Sequence, residues 1–215
     1  MSPEEAAATA LSCFHSAWQM SIEDYQNKKI NAEACLQAAQ YFHLRNELAT
    51  KGDFSIFVEC AVKLSEEDLV FFDTLVVHNG KVVLAVELKY RPKGKPTSAE
   101  VTADLNKLSF FRKWSKPGSK LSVLLRRYLT SNRSDVVEMT VAPTRRLVFA
   151  AFVQLGKMPQ NEKDFWSKFG PLSENENWAR RGKMPIKLSI CLAQADADGT
   201  AVALQYGGKH TLPVQ

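Results

Sequence analysis

Two apolar runs, residues 70–77 and 82–90, flank His78-Asn79-Gly80-Lys81, and each carries charge in its middle. Asn-Gly between β-branched runs signals a tight hairpin, because both residues tolerate the left-handed backbone of the turn. Asp73 lies in the first run, and Glu87 and Lys89 lie in the second. Burying an isolated charge is costly, so such groups face solvent, pair with one another or hold an ion. Glu87 and Lys89 are two apart and share one face of a strand. Whether Asp73 joins them depends on the turn. A clean two-residue loop pairs Asp73 with Val86 and sends Asp73 and Glu87 to opposite faces. An odd-length loop or a bulge brings all three together, a three-residue loop doing so by pairing Asp73 with Ala85. The chemistry therefore requires an irregular hairpin.

Two carboxylates converging with an ammonium suit a hard divalent cation, Mg²⁺ or Mn²⁺, which takes oxygen ligands and keeps several waters. Such a cation makes a bound water more acidic and offsets charge on a phosphate oxygen. The lysine can orient or deprotonate the attacking water, or stabilise charge developing in the transition state. These are the parts of a phosphodiester hydrolysis site.

The rest of the chain frames this hairpin. Ser2-Pro3 with Glu5 resembles a capping box opening a helix to about residue 20. Ser21 is expected to cap a short second helix, and Asn31 a third to about residue 50, with Tyr41, Leu44 and Leu48 as its buried stripe. Residues 54–64 alternate as a strand. Thr97 or Ser98 caps a helix to about Trp114. A helix is expected near 121–130, then an irregular link, then a buried strand at 147–155. A short helix at 161–169 precedes two strands, 186–195 and 200–206, joined by a polar turn at 196–199. The order predicts an α/β (α+β) single domain over 1–215, with a helical extension at 1–30, a core at 31–155 and a C-terminal helix and hairpin at 156–215.

Charge is uneven along the chain. Residues 1–70 carry eleven acidic and five basic side chains, whereas 89–127 carry eleven Lys or Arg against Glu100 and Asp104. A long one-sign stretch attracts a polyanion. Arg91, Lys93, Lys95, Lys107, Arg112 and Lys113 are its candidate nucleic-acid contacts, and Arg126-Arg127 and Arg145-Arg146 extend it. No apolar run approaches the roughly 20 residues needed to span a bilayer, and the acidic start lacks the basic opening of a signal peptide. A cytoplasmic protein without membrane contact is expected. Cys13, Cys35, Cys60 and Cys191 are scattered in apolar surroundings and read as core thiols rather than a zinc site.

A carboxylate-bearing helix, two strands, Asp73 and then Glu87-Leu88-Lys89 resemble the PD-(D/E)XK nuclease superfamily over roughly residues 31–155. The resemblance implies a restriction-endonuclease-like core, α-β-β-β-α-β, flanked by N-terminal helices and a C-terminal β-hairpin. It implies Asp73 and Glu87 as metal ligands and Lys89 as the catalytic lysine. Glu47, on the helix before the strands, would be the additional catalytic and metal-binding carboxylate, with Glu59 as the alternative. Asp104 and Lys107 would lie on the helix behind the site. Phe72 stands where the name-giving proline would be. The expected activity is metal-dependent hydrolysis of nucleic acid, DNA rather than RNA. The competing expectation is a non-catalytic module that grips nucleic acid or protein through the basic 91–127 face. The N-terminal helices are a candidate surface for a homodimer or a protein partner.

Three other features carry less. Asp196 and Asp198 lack the remaining ligands of a calcium loop. Trp178 with Arg180, Arg181 and Lys183 combines an aromatic with cations, and reads as a solvated loop before a base-stacking one. The four histidines show no metal or triad spacing.

Overall fold

The computed structural model describes residues 1–63, 69–114, 116–126, 134–154, 188–195 and 201–206, together with Lys157 and Asp164. Helices α1 (Pro3–Gln26) and α2 (Glu33–Leu48) precede strands β1 (Phe54–Lys63), β2 (Leu69–His78) and β3 (Lys81–Arg91). Helix α3 (Ser98–Trp114) follows, then β4 (Lys120–Arg126), β5 (Ser134–Gln154), β6 (Leu188–Ala195) and β7 (Ala201–Tyr206). The result is a mixed α/β architecture with a mixed sheet.

The helix ends follow their residues. Ser2 accepts from the Glu5 amide at 3.2 Å while Glu5 accepts from the Ser2 amide at 2.7 Å, the reciprocal capping box. Thr97 and Glu100 repeat that pattern ahead of α3, at 3.2 and 2.7 Å. The expected break at Ser21 is absent. With no Gly or Pro between Ser21 and Gln26 and with Ile22 facing the core, α1 continues through it. Ser21 instead donates to the Ala17 carbonyl at 2.8 Å and meets Gln40 of α2 at 3.2 Å. Helix α2 begins after Ala32 without a side-chain cap, so Asn31 does not cap it.

The sheet runs β3-β2-β1-β4-β5-β6-β7, and β3 also pairs with β5, so its first five strands close on themselves. Pairing is parallel for β3–β5 and β5–β6 and antiparallel elsewhere. The expected helix at 121–130 is corrected: residues 120–126 form β4. Leu121 and Val123 are buried while Ser122 bonds Glu138 across the ladder at 2.6 Å, a period of two rather than 3.6. The expected irregular link is the first part of β5. The C-terminal hairpin pairs as expected, Ile190 opposite Tyr206 through Ala195 opposite Ala201. The expected helix at 161–169, the turn at 196–199 and the cationic loop at 178–183 lie outside the described residues.

Helices cover both faces. Phe14, Trp18 and Ile22 of α1, with Leu36, Leu44 and Leu48 of α2, pack on Val76, Leu84, Val86, Val148 and Phe152. On the other face Val101, Leu105, Leu108 and Phe111 of α3 pack on Phe72, Leu75, Ala85, Leu147 and Phe149. Strand β3 is therefore buried along nearly its whole length.

Candidate active site

Asn79 and Gly80 form a two-residue turn with φ of 47° and 70°, and His78 pairs with Lys81. Left regular, this hairpin would separate Asp73 from Glu87. The register shifts at once, however: Val77 pairs with Val82, but Val76 pairs with Leu84. Val83 is the extra residue of a β-bulge, and it and Leu84 pack consecutively into the same core. The new register, Leu75 with Ala85 and Thr74 with Val86, brings the Asp73 position opposite Glu87. The irregularity required by the chemistry is thus a bulge; the three-residue loop pairing Asp73 with Ala85 does not form.

A second irregularity frees Asp73 from the ladder. In β1, Ile56 packs with the α1–α2 core, whereas Cys60 and Val62 pack with the α3 core, so even-numbered positions change face. In β2, Val76 and Phe72 do the same. The change falls at Glu59, φ 46°, in the register position opposite Asp73. A non-glycine residue there costs on the order of 1–3 kcal/mol, and such strain concentrates at functional sites. Asp73 Oδ2 accepts from the Leu88 amide at 2.6 Å, and the Asp73 carbonyl accepts from Gln37 Nε2 of α2 at 3.0 Å. Its carboxyl is pushed up by burial, against the opposing pull of the Leu88 amide, Lys107 and Lys89.

Glu87 is fully buried, and its Oε2 meets Lys107 Nζ at 2.5 Å. Lys107 Nζ is 3.1 Å from Asp104 Oδ1, and Asp104 Oδ2 is 3.1 Å from Lys89 Nζ. Asp104 and Lys107 are three apart, so one face of α3 presents both to the sheet. Three carboxylates (Asp73, Glu87, Asp104) meet two ammonium groups (Lys89, Lys107), leaving one negative charge uncompensated when all are ionised. Glu87 Oε1 is buried, with no hydrogen-bond partner among the described residues. Burial, and then the Asp73 charge, push the Glu87 carboxyl up to about 9. An orphaned carboxylate oxygen beside a second carboxylate fits a hard cation. Among the described residues no group of three or more His, Cys, Asp or Glu can hold a metal ion.

The other expected site residues are dispersed. Glu47 stands near the far end of α2, where its carbonyl accepts from Cys13 Sγ at 3.9 Å. It is ten residues beyond Gln37, about 15 Å along the helix, and does not join the cluster. Glu59 is exposed. Arg91 is held between Glu33 of α2 at 3.6 Å and Glu100 of α3 at 2.9 Å. Lys93 and Lys95 are exposed on the loop between β3 and α3. Lys107 belongs to the cluster itself, and Arg112 is half-buried. The side chains of Lys113 and Arg126, and all of Arg127, lie outside the description. Gln37 escaped the sequence reading because one amide on an amphipathic helix carries no signal. The spacing of Asp104 and Lys107 did carry one.

Together these features define a mixed α/β protein with a buried carboxylate–ammonium cluster between a sheet and one helix. Comparison with protein-family models, curated proteins and solved structures gave no match to this chain.

Proposed function

We propose that this chain is a metal-dependent phosphodiesterase of the PD-(D/E)XK type acting on DNA. The observation that carries this reading is the Val83 bulge, which aligns Asp73 with Glu87 and leaves a buried carboxylate oxygen of Glu87 unpartnered. Asp73 and Glu87 would hold Mg²⁺ or Mn²⁺, which when bound supplies positive charge against phosphate oxygens and acidifies a coordinated water.

The chain's own residues do the rest. The Leu88 amide and Gln37 fix Asp73 at the strand irregularity. Asp104 holds the Lys89 ammonium on the carboxylate face, where it can steady charge on a phosphoryl oxygen. Burial, foremost, opposes the charged form of Lys89, while Asp104 and Asp73 more than offset this and favour the ammonium. Lys89 is thus the electrostatic stabiliser before it is a base. Lys93 and Lys95, exposed beyond the end of β3, attract the phosphate backbone.

A second reading is a non-catalytic nucleic-acid-binding module on this fold. It is favoured by Lys107, whose ammonium already pairs with Glu87. Labelled duplex, single-stranded and branched DNA and RNA, incubated with Mg²⁺, Mn²⁺ or EDTA, separate the two. Metal-dependent cutting that falls at least roughly 100-fold in Asp73→Ala and Lys89→Ala, with binding kept, is expected. Salt-sensitive binding without cutting on any substrate makes the chain a binding module.

A further inference from the structure

We infer that Arg112 and Arg145 form a seat for a second phosphate of the substrate backbone, at the far end of α3 from its N-terminus. This rests on the nuclease reading for its ligand, but on separate residues for its geometry. Arg145 lies in the stretch between the two pairings of β5 with β3, Val82 opposite Val141 and Leu84 opposite Arg146, where four residues of β5 face one of β3. From there its Nη2 donates to the Arg112 carbonyl at 2.8 Å, in the last turn of α3. Its Nη1 lies 3.5 Å from the Ala142 carbonyl. The guanidinium carbon stands 5.9 Å over the centre of the Phe111 ring.

Helix capping accounts for part of this arrangement and leaves the rest unexplained. A guanidinium has five N–H donors, and Arg145 Nε is buried without an acceptor among the described residues. Burial, and then the neighbouring Arg112 charge, push Arg145 down to about 10. Burial also lowers Arg112. Among the described residues neither arginine has a carboxylate partner. Arg145 thus keeps uncommitted N–H donors beside a second cation, an arrangement that an anion would satisfy. A phosphate group matches the planar fork of Arg.

The seat is in reach of the cluster. Phe111 packs on Phe72, the neighbour of Asp73, at 5.0 Å between ring centroids. Arg112 lies five residues beyond Lys107, about 7.5 Å by helix rise. That separation is of the order of the distance between neighbouring phosphates on one strand, so the seated phosphate would lie close along the backbone to one at the carboxylates.

Two measurements test the seat without cleavage. The first compares thermal unfolding in inorganic phosphate and in chloride at matched ionic strength. The second is anisotropy of a labelled DNA duplex in EDTA across a salt series. Arg112→Gln is the main variant, because Arg145 bonds the Arg112 main chain and α3 keeps its cap. Arg145→Lys, which keeps charge but loses the fork, is the second. Phosphate should raise the wild-type Tm and leave both variants unmoved. The slope of log K against log salt should shrink by about 0.9 in Arg112→Gln, one phosphate contact. An equal phosphate response in wild type and Arg112→Gln overturns the seat. A lost phosphate response with an unchanged DNA slope overturns its assignment to backbone phosphate. Failure of metal-dependent cutting with both responses intact refutes the nuclease reading alone.

Discussion

Glu87 carries a conflict: its carboxyl is buried with one oxygen on Lys107 and the other without a partner among the described residues. With its carboxyl raised from an ordinary 4.5 to about 9, it takes up a proton on folding at neutral pH. A raised folded-state value contributes stability that is complete below 4.5 and lost as pH rises through about 9. Asp73, also raised, contributes in the same sense from lower pH. In EDTA, thermal stability should therefore fall from pH 5 toward pH 9. Glu87→Gln should flatten much of that slope and stabilise the fold at pH 8 by on the order of 1–3 kcal/mol, since the amide carries no charge to desolvate. Lys107 keeps Asp104 as a partner, so the substitution strands no cation. Mg²⁺ should act oppositely, stabilising wild type and leaving Glu87→Gln less changed. A variant less stable than wild type at every pH would mean that the Glu87 carboxylate is a structural ion pair.

At the scale of the hairpin, one residue decides which face the chemistry occupies. Inserting one alanine between Ala85 and Val86 leaves the Asn79-Gly80 turn and the Val83 bulge intact but moves Glu87 and Lys89 to the α1–α2 side. Two charges would enter that core in place of Leu88 and Tyr90. The insertion should abolish cutting and collapse thermal stability, whereas deleting Val83, which keeps Val76 opposite Leu84 and hence Asp73 opposite Glu87, should preserve the alignment. Gly80→Ala, strained only by its backbone, should cost about 1 kcal/mol and keep activity. An insertion variant that still cuts would detach the strand register from the site. The sequence announced the turn through Asn79-Gly80 and the need for an irregularity through the parity of Asp73 and Glu87. It could not place the bulge at Val83, because three β-branched or aliphatic residues in succession fit either face equally well. Residues 120–126 misled for a related reason. Adjacent leucines favour a helix locally, and only pairing with β5, distant in neither sequence nor space, makes Leu121 and Val123 a buried alternation.

Across the whole molecule, the sheet is held from both sides, and the N-terminal helix is part of that hold. The sequence suggested an extension at 1–30, since an alanine-rich helix advertises no particular partner surface. Its small residues Ala6, Ala10 and Ala17 instead let α1 approach closely, and Phe14, Trp18 and Ile22 fill the core over β3 and β5. The apolar side of α1 is thereby used within the chain, which leaves its polar side for any second copy or partner. β3 carries Glu87 and Lys89 on the face opposite α1, so α1 supports the site through the strand without touching the cluster. Phe14→Ala should then cost about 3–5 kcal/mol, near 10 °C in Tm for a chain of this size. Cutting per folded molecule should be unchanged at a temperature where the variant is folded, with loss appearing only as the folded fraction falls. Removing residues 2–26 should abolish cooperative unfolding altogether. A truncated chain that unfolds cooperatively and still binds DNA would make the N-terminal helix an appendage, and would return its apolar face to the surface as a partner site.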